Sequence, residues 1–229
     1  KADYRMTYLN SDGREVSMCG NGARALGDYA LTLPEFRGKE ELTFETFAGT
    51  YSLKRDTSGA IELHMTEVQD VKKYDISDLA KKIGAMYSSF LDTGGPHCLF
   101  EMKGLNMTRE IPDLMSFARE VRYDGRFPLG TNVNFVWEKG GELYMRTYER
   151  GVEGETLACG TGAVALARAW RARGRNQDDW IIHTLGGQMR IRFSGDEVYF
   201  SGDVRASFEG QFDAEVFRYP RSPRKKSMP

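Results

Sequence analysis

Cysteine is scarce in this chain: Cys19, Cys98 and Cys159 are the three present among 229 residues. So small and odd a number excludes a disulfide-stapled secreted scaffold and points to a reducing, cytoplasmic setting. Histidine is equally sparse, with His64, His97 and His183 scattered and no Cys-x-x-Cys pair, which argues against a structural zinc site. No apolar run approaches the roughly 18 residues that span a bilayer, and no secretory leader is visible. A formal net charge of -1 removes the electrostatic case for nucleic acid or an anionic membrane as partner. The chain opens on Lys1 rather than Met, which reads as a fragment or a trimmed product.

What is there suits a globular protein of one large or two modest domains: 40% of residues are hydrophobic and 28% charged. Strand-like segments dominate. "DYRMTYLN" alternates and runs into the turn "NSDG". "ELTFETFAGTYSLKRDTSGAIELHM" reads as three strands, with turns at Ala48-Gly49 and Ser58-Gly59. Further strands follow in "YSSFLDTG", "TNVNFVWEKGGELYMRTYER", "DDWIIHTLGGQMRIRFSGDEVYFSG" and "DAEVFRY", with hairpin turns at Gly140-Gly141 and Gly186-Gly187. Helices are predicted from Gly20 to Leu33, over "PDLMSFAREVR", and from Gly160 to Arg173, stopped by Pro34 in the first case and Gly174 in the last. The first and third are apolar around much of their circumference, so each is expected inside a sheet layer. "KYDISDLAKKIGAM" is open between a short helix and a loop. The last residues, 218–229, read as a basic, proline-rich disordered tail.

Two helix starts share one plan. "EVSMCGNGARALGDYA" at 15–30 and "ETLACGTGAVALARAW" at 155–170 each place Cys-Gly-x-Gly-Ala at the beginning of a helix. A cysteine there faces the positive end of the helix dipole, which favours thiolate over thiol. The glycines let the backbone turn tightly and present unpaired N–H groups, a seat for a carboxylate. One such cysteine would more often be a small buried hydrophobe. A duplicated lobe would not by itself repeat the cysteine, so the pair favours chemistry. Two thiols on opposite faces of one carbon can invert a stereocentre, one acting as base and the other as acid.

The stretches "YLNSDGREVSMCGNGAR", "DTGGPHC", "FPLGTNVNFV" and "TYERGVEGETLACGTGA", in that order, resemble diaminopimelate epimerase over most of residues 4–170. The resemblance implies an α+β fold of two pseudo-symmetric lobes, each a curled, mostly antiparallel sheet around a central helix. Residues 1–66 would form the N-terminal lobe, joined by a returning strand at 206–217, and residues 67–205 the C-terminal lobe. It implies an isomerase without a cofactor, acting on a small amino-acid substrate, and a homodimer with Phe208 at its interface. Cys19 and Cys159 would be the acid/base thiols, assisted by His97 and Glu149. Asn10, Gly20, Asn21, Gly95, Asn132, Glu149, Arg150, Gly160 and Thr161 would bind substrate. Chemically, the planar Arg150 fork suits a carboxylate and Glu149 an ammonium group. Taken singly, Asn10 could shape a turn, Glu149 and Arg150 could be a surface pair, and His97 a satisfied core group. Cys98, by strand alternation, points away from His97 into the core. The family pattern begins with a Gly-Asn-Asp-Phe segment that has no counterpart here, and many relatives carry Asn at the position of Gly95. Alternatives are a racemase for another amino acid, of the proline or histidine type, or a catalytically incomplete amino-acid-binding relative.

Overall fold

The computed structural model describes residues 1–9, 13, 15–16, 18–65, 74–107 and 111–211. Among them, twelve strands join in one sheet that carries both halves of the molecule. In the first half, β1 (Tyr4–Arg5), β4 (Glu41–Thr46), β5 (Gly49–Arg55) and β6 (Ile61–Met65) lie side by side. A two-stranded ribbon, β2 (Tyr8–Leu9) and β3 (Glu15–Val16), stands apart from them. The single strand expected over "DYRMTYLN" is thus two short ones, split at Met6-Thr7. The second half contains β7 (Tyr87–Asp92), β8 (Pro96–Glu101), β9 (Asn132–Lys139) and β10 (Glu142–Glu149). It continues with β11 (Gly154–Thr156), β12 (Asp179–Thr184), β13 (Gly187–Ser194) and β14 (Glu197–Gly202). Pairing is antiparallel except at β1/β4, β8/β9 and β10/β12. The predicted hairpins are present, with Gly140 and Gly141 both at positive φ between β9 and β10.

The two halves meet where β14 pairs β6 on one side and β13 on the other. Phe200, at the middle of β14, pairs Leu63 of β6 and Ile191 of β13, and its ring is fully buried. That ring lies beneath both Cys-Gly helix starts. A Cβ on Gly160 would sit 2.6 Å from Phe200 Cε1, and one on Gly20 would sit 3.1 Å from the same atom. These glycines are therefore required for close approach rather than for unusual backbone angles.

Helix α1 (Gly20–Ala30) packs on β5 and β6, and α4 (Gly160–Ala172) is wrapped by the second half of the sheet. Nine residues of α4 are buried, including Trp170, as its apolar circumference predicts. Helix α1 corrects the same expectation: only Ala23, Arg24, Gly27 and Ala30 are buried, and Tyr29 is exposed. Among the described residues fewer strands cover α1, so one face stays in water. It also ends at Ala30, three residues early, because Pro34 starts a 3-10 turn (Pro34–Phe36) and biases the preceding Leu33 to extended backbone, φ -75° and ψ 142°. The ambiguous stretch forms helix α2 (Ser77–Ile83), closed by Gly84 in left-handed conformation. Helix α3 (Pro112–Arg122) begins at Pro112 as expected and covers a second apolar cluster containing Cys98, Phe100, Phe117 and Phe135.

Residues 206–211 form no strand, which removes that part of the returning strand expected at 206–217; the remainder, with "DAEVFRY" and the 218–229 tail, lies outside the described residues. No helix among the described residues is long and apolar enough to cross a membrane.

Gly160→Ala should destabilise the protein by about 1–3 kcal/mol through overpacking against Phe200, although alanine is the better helix former. A urea midpoint unchanged from wild type would refute this role for the ring.

Candidate active site

Cys19 and Cys159 occupy the same position on their helices. Each is the N-cap, with extended backbone of φ -136° and ψ 109° at Cys19 and φ -127° and ψ 108° at Cys159. Neither helix has an acidic residue in its first turn, so the positive ends of both dipoles stay unneutralised. Both cysteines line one cavity of 320 Å³. Gly20, Asn21, Gly160 and Thr161 from the helix starts line it with them, as do Gly95, Asn132, Glu149 and Arg150 from the second half. A cavity of 620 Å³ lies elsewhere, and four of its five cations, Lys39, Arg55, Arg190 and Arg192, are already paired with a carboxylate.

The lobes are tied together at the cavity floor. Asn21 Nδ2 donates to the Ala158 carbonyl at 3.2 Å, reaching from one helix start to the residue before the other. Asn21 Oδ1 accepts from Arg24 Nη2 at 2.9 Å, while Arg24 Nη1 donates to the Gly202 carbonyl at 2.7 Å. The Arg24 guanidinium stacks 4.4 Å from the Phe200 ring centroid. This is a buried cation held by carbonyl oxygens and an aromatic face.

The two sulfurs sit in different surroundings. Cys19 is half-buried, and its Sγ accepts from the Gly22 N–H at 3.4 Å. Tyr8 lines the same cavity, and the nearby Cys19 raises the Tyr8 pKa. Cys159 is buried, with Sγ 3.5 Å from Thr161 Oγ1. Burial pushes the Cys159 thiol up to about 12, and the nearby Glu149 carboxylate adds to the effect. Cys159 therefore rests as a thiol at neutral pH. Burial also raises the Glu149 pKa, opposed by the nearby Thr156. Cys98 packs in the second apolar cluster, its thiol raised to about 12 by burial, as strand alternation predicted.

His97 does not open onto the cavity. It is fully buried behind Cys159, between Asn134 and Thr161, and burial pushes its imidazolium down to about 3. Asn132 stitches strand ends together: Nδ2 donates to the Pro96 carbonyl at 3.1 Å and Oδ1 accepts from the Arg150 N–H at 2.9 Å. Arg150 Nη1 donates to the Leu129 carbonyl at 3.1 Å, and among the described residues no ion pair joins Arg150 to Glu149. A Cβ on Gly95 would make an ordinary 3.7 Å contact with Asn132 Nδ2, so the position tolerates a side chain. Phe208 is 82% exposed and away from the cavity, and Asn10 lies outside the described residues. Among the described residues no group of three or more His, Cys, Asp or Glu could hold a metal ion.

Sequence reasoning overlooked Tyr8 and Asn134. Asn134 carried a usable signal, since it lies two residues along β9 from Asn132 and so shares its face.

Alkylation by iodoacetamide near neutral pH should modify Cys19 well before Cys98 and Cys159, both buried and protonated. Peptide mapping that finds Cys159 first would contradict the arrangement. His97 also couples folding to pH. Between about 6.5 and about 3 the unfolded chain binds a proton that the folded imidazole refuses, so acidification through that window should lower stability. The wild-type slope should exceed that of His97→Gln by up to about 1.4 kcal/mol per pH unit in denaturant titrations; parallel slopes would refute a buried neutral His97.

Comparison with known proteins agrees with this geometry. The diaminopimelate epimerase family profile matches residues 89–206. A diaminopimelate epimerase of Methanocella arvoryzae is 38% identical over 220 residues, covering 92% of this chain and 76% of that relative. One from Archaeoglobus fulgidus is 36% identical over 231 residues, covering 96% and 79%. In fold, the chain is similar to a putative phenazine biosynthesis PhzC/PhzF protein of Clostridium difficile, with TM-score 0.68, 12% identity and coverage of 91% and 78%. It is also similar to a hydroxyproline epimerase of Agrobacterium vitis, with TM-score 0.56, 17% identity and coverage of 88% and 68%. With two N-cap cysteines facing one cavity and identities of this order over most of its length, the chain belongs to the diaminopimelate epimerase family.

Proposed function

We propose that the protein inverts the α-carbon of diaminopimelate by two-base proton transfer between Cys19 and Cys159. The observation that carries this reading is the convergence of two N-cap sulfurs on one cavity of 320 Å³, within the range of small-ligand sites. The substrate α-carboxylate would sit across the two helix starts, where Gly20, Asn21, Gly160 and Thr161 line the cavity and neither first turn holds an acidic residue to compete for the N–H groups. Negative charge that develops on this carboxylate as the α-proton leaves would be met by those fixed donors. Arg150 would hold a carboxylate and Glu149 an ammonium group of the substrate.

The different surroundings of the sulfurs set the starting state. Cys159, a thiol held in a dry pocket, is ready to give a proton. Cys19 accepts from the Gly22 N–H, a donor to the sulfur that would take the proton. In that direction the C–H bond breaks toward Cys19 while the Cys159 S–H delivers to the opposite face. The reverse reaction exchanges the roles. Glu149 and His97 assist by keeping charge and proton position fixed around Cys159. A homodimer and a cytoplasmic location accord with this reading.

Cys19→Ala and Cys159→Ala should each lower kcat for epimerisation by at least ~10²-fold, since each removes one of the two proton-transfer groups. In deuterium oxide the wild type should incorporate solvent deuterium at the α-carbon of diaminopimelate. Either variant retaining turnover would sink the two-base scheme. Turnover of proline or histidine in place of diaminopimelate would move the assignment to another amino-acid racemase.

A further inference from the structure

Behind Cys159 the site continues into a buried chain of hydrogen bonds whose direction one residue can decide. Asn134, fully buried on β9, donates from Nδ2 to the Cys98 carbonyl at 3.0 Å and contacts His97 Nδ1 at 3.1 Å. Its Oδ1 accepts from Thr147 Oγ1 at 2.9 Å. A carbonyl oxygen can only accept, so Cys98 identifies which end of the amide is the nitrogen. With an NH₂ group against it, His97 Nδ1 must be the acceptor. The imidazole is then neutral and its single proton lies on Nε2.

The consequence passes outward. His97 Nε2–H donates to Thr161 Oγ1 at 2.9 Å, which leaves the threonine proton to point at Cys159 Sγ, 3.5 Å away. A sulfur that accepts from Thr161 keeps its own S–H free to aim into the cavity. Were the proton on Nδ1 instead, Thr161 would donate to Nε2, and Cys159 would donate to Thr161, turning its proton away from substrate. The helix start packs closely on this network: a Cβ on Gly162 would come 2.7 Å from Asn134 Oδ1 and 3.3 Å from His97 Cε1.

We infer that Asn134 is a positioning residue for proton transfer at Cys159, acting by holding His97 in its Nε2–H form and so orienting Thr161 toward the sulfur. The inference rests on the epimerase reading above. When the S–H bond breaks and the proton moves to the α-carbon, the electron pair stays on Sγ, and the Thr161 hydroxyl is already placed to donate to that thiolate. In the opposite direction the same hydroxyl supports the thiolate before it takes the α-proton.

The test combines imidazole ¹⁵N NMR with kinetics on the full chain, with His97 assigned as the signal missing from His97→Gln. Wild type should show the proton on Nε2. Asn134→Asp, whose carboxylate accepts from Nδ1–H, should shift the proton to Nδ1 or protonate the ring. It should also lower kcat at least ~10-fold with KM changed less than ~3-fold. Thr147→Val, which leaves the amide present but loosened, should give a smaller loss in the same direction. These two variants guard against failure of either to fold, and the wild-type spectrum needs neither. A wild-type proton on Nδ1 would overturn the inference, as would Asn134→Asp that moves the proton but keeps kcat within about twofold. Loss of rate with an unchanged His97 spectrum would also overturn it, leaving Asn134 a merely structural role. A wild type with Nε2–H that exchanges no α-deuterium would overturn the epimerase reading and the proton-transfer role with it, whereas a wild-type Nδ1–H would overturn the Asn134 assignment alone.

Discussion

The pairing of β14 with β6, and the Phe200 ring that this pairing places under both helix starts, is the constraint on which the site depends. Burying one phenylalanine contributes only about 1.5–3 kcal/mol. The larger effect is geometric. Because Gly20 and Gly160 lack side chains, both helices can rest their N-termini on the same ring, and two cysteines far apart in the chain then face one cavity. Asn21 and Arg24 complete the seam with hydrogen bonds to Ala158 and Gly202, so backbone carbonyls next to the reacting region are satisfied by side chains of the opposite half.

Around this symmetric frame the electrostatics are asymmetric. On the Cys159 side the thiol, the neutral imidazole of His97 and the Asn134 amide are buried, and every one of them has a hydrogen-bond partner. On the Cys19 side the sulfur is half-buried, α1 is open along one face, and the donor to the sulfur is the Gly22 N–H. Burial holds the Cys159 sulfur protonated, while the Cys19 sulfur is half-buried and accepts from one backbone N–H. Two chemically identical side chains thereby sit in different surroundings at one cavity.

Much of the architecture was readable in the residues because it depends on local rules. Glycine pairs placed the β9/β10 and β12/β13 turns, Pro112 opened α3, and Gly174, at positive φ, followed the end of α4. The reading failed where coverage by distant strands decides the outcome. Helix α1 has an apolar sequence much like that of α4 but a different burial, because the number of strands folding over a helix is not written in the helix. Residues 206–211 likewise run without pairing. At the site, the Cys-Gly-x-Gly-Ala repeat marked both sulfurs, yet the same residues could not say that Asn21 spans to Ala158 or that Asn132 ties Pro96 to Arg150.

By itself the sequence determined the chemistry that is available: two cysteines at helix N-termini, each followed by glycines that bare the backbone N–H groups, together with a motif set specific enough to place the chain in its family. Those features are local, since capping and backbone access depend on neighbouring residues. Only the tertiary structure decided that the two sulfurs share one cavity, that burial keeps Cys159 protonated, and that His97 lies behind that sulfur, in contact with Thr161, instead of opening onto the cavity. Proximity and desolvation arise from strands brought together across the whole chain, and burial is a property no residue carries on its own.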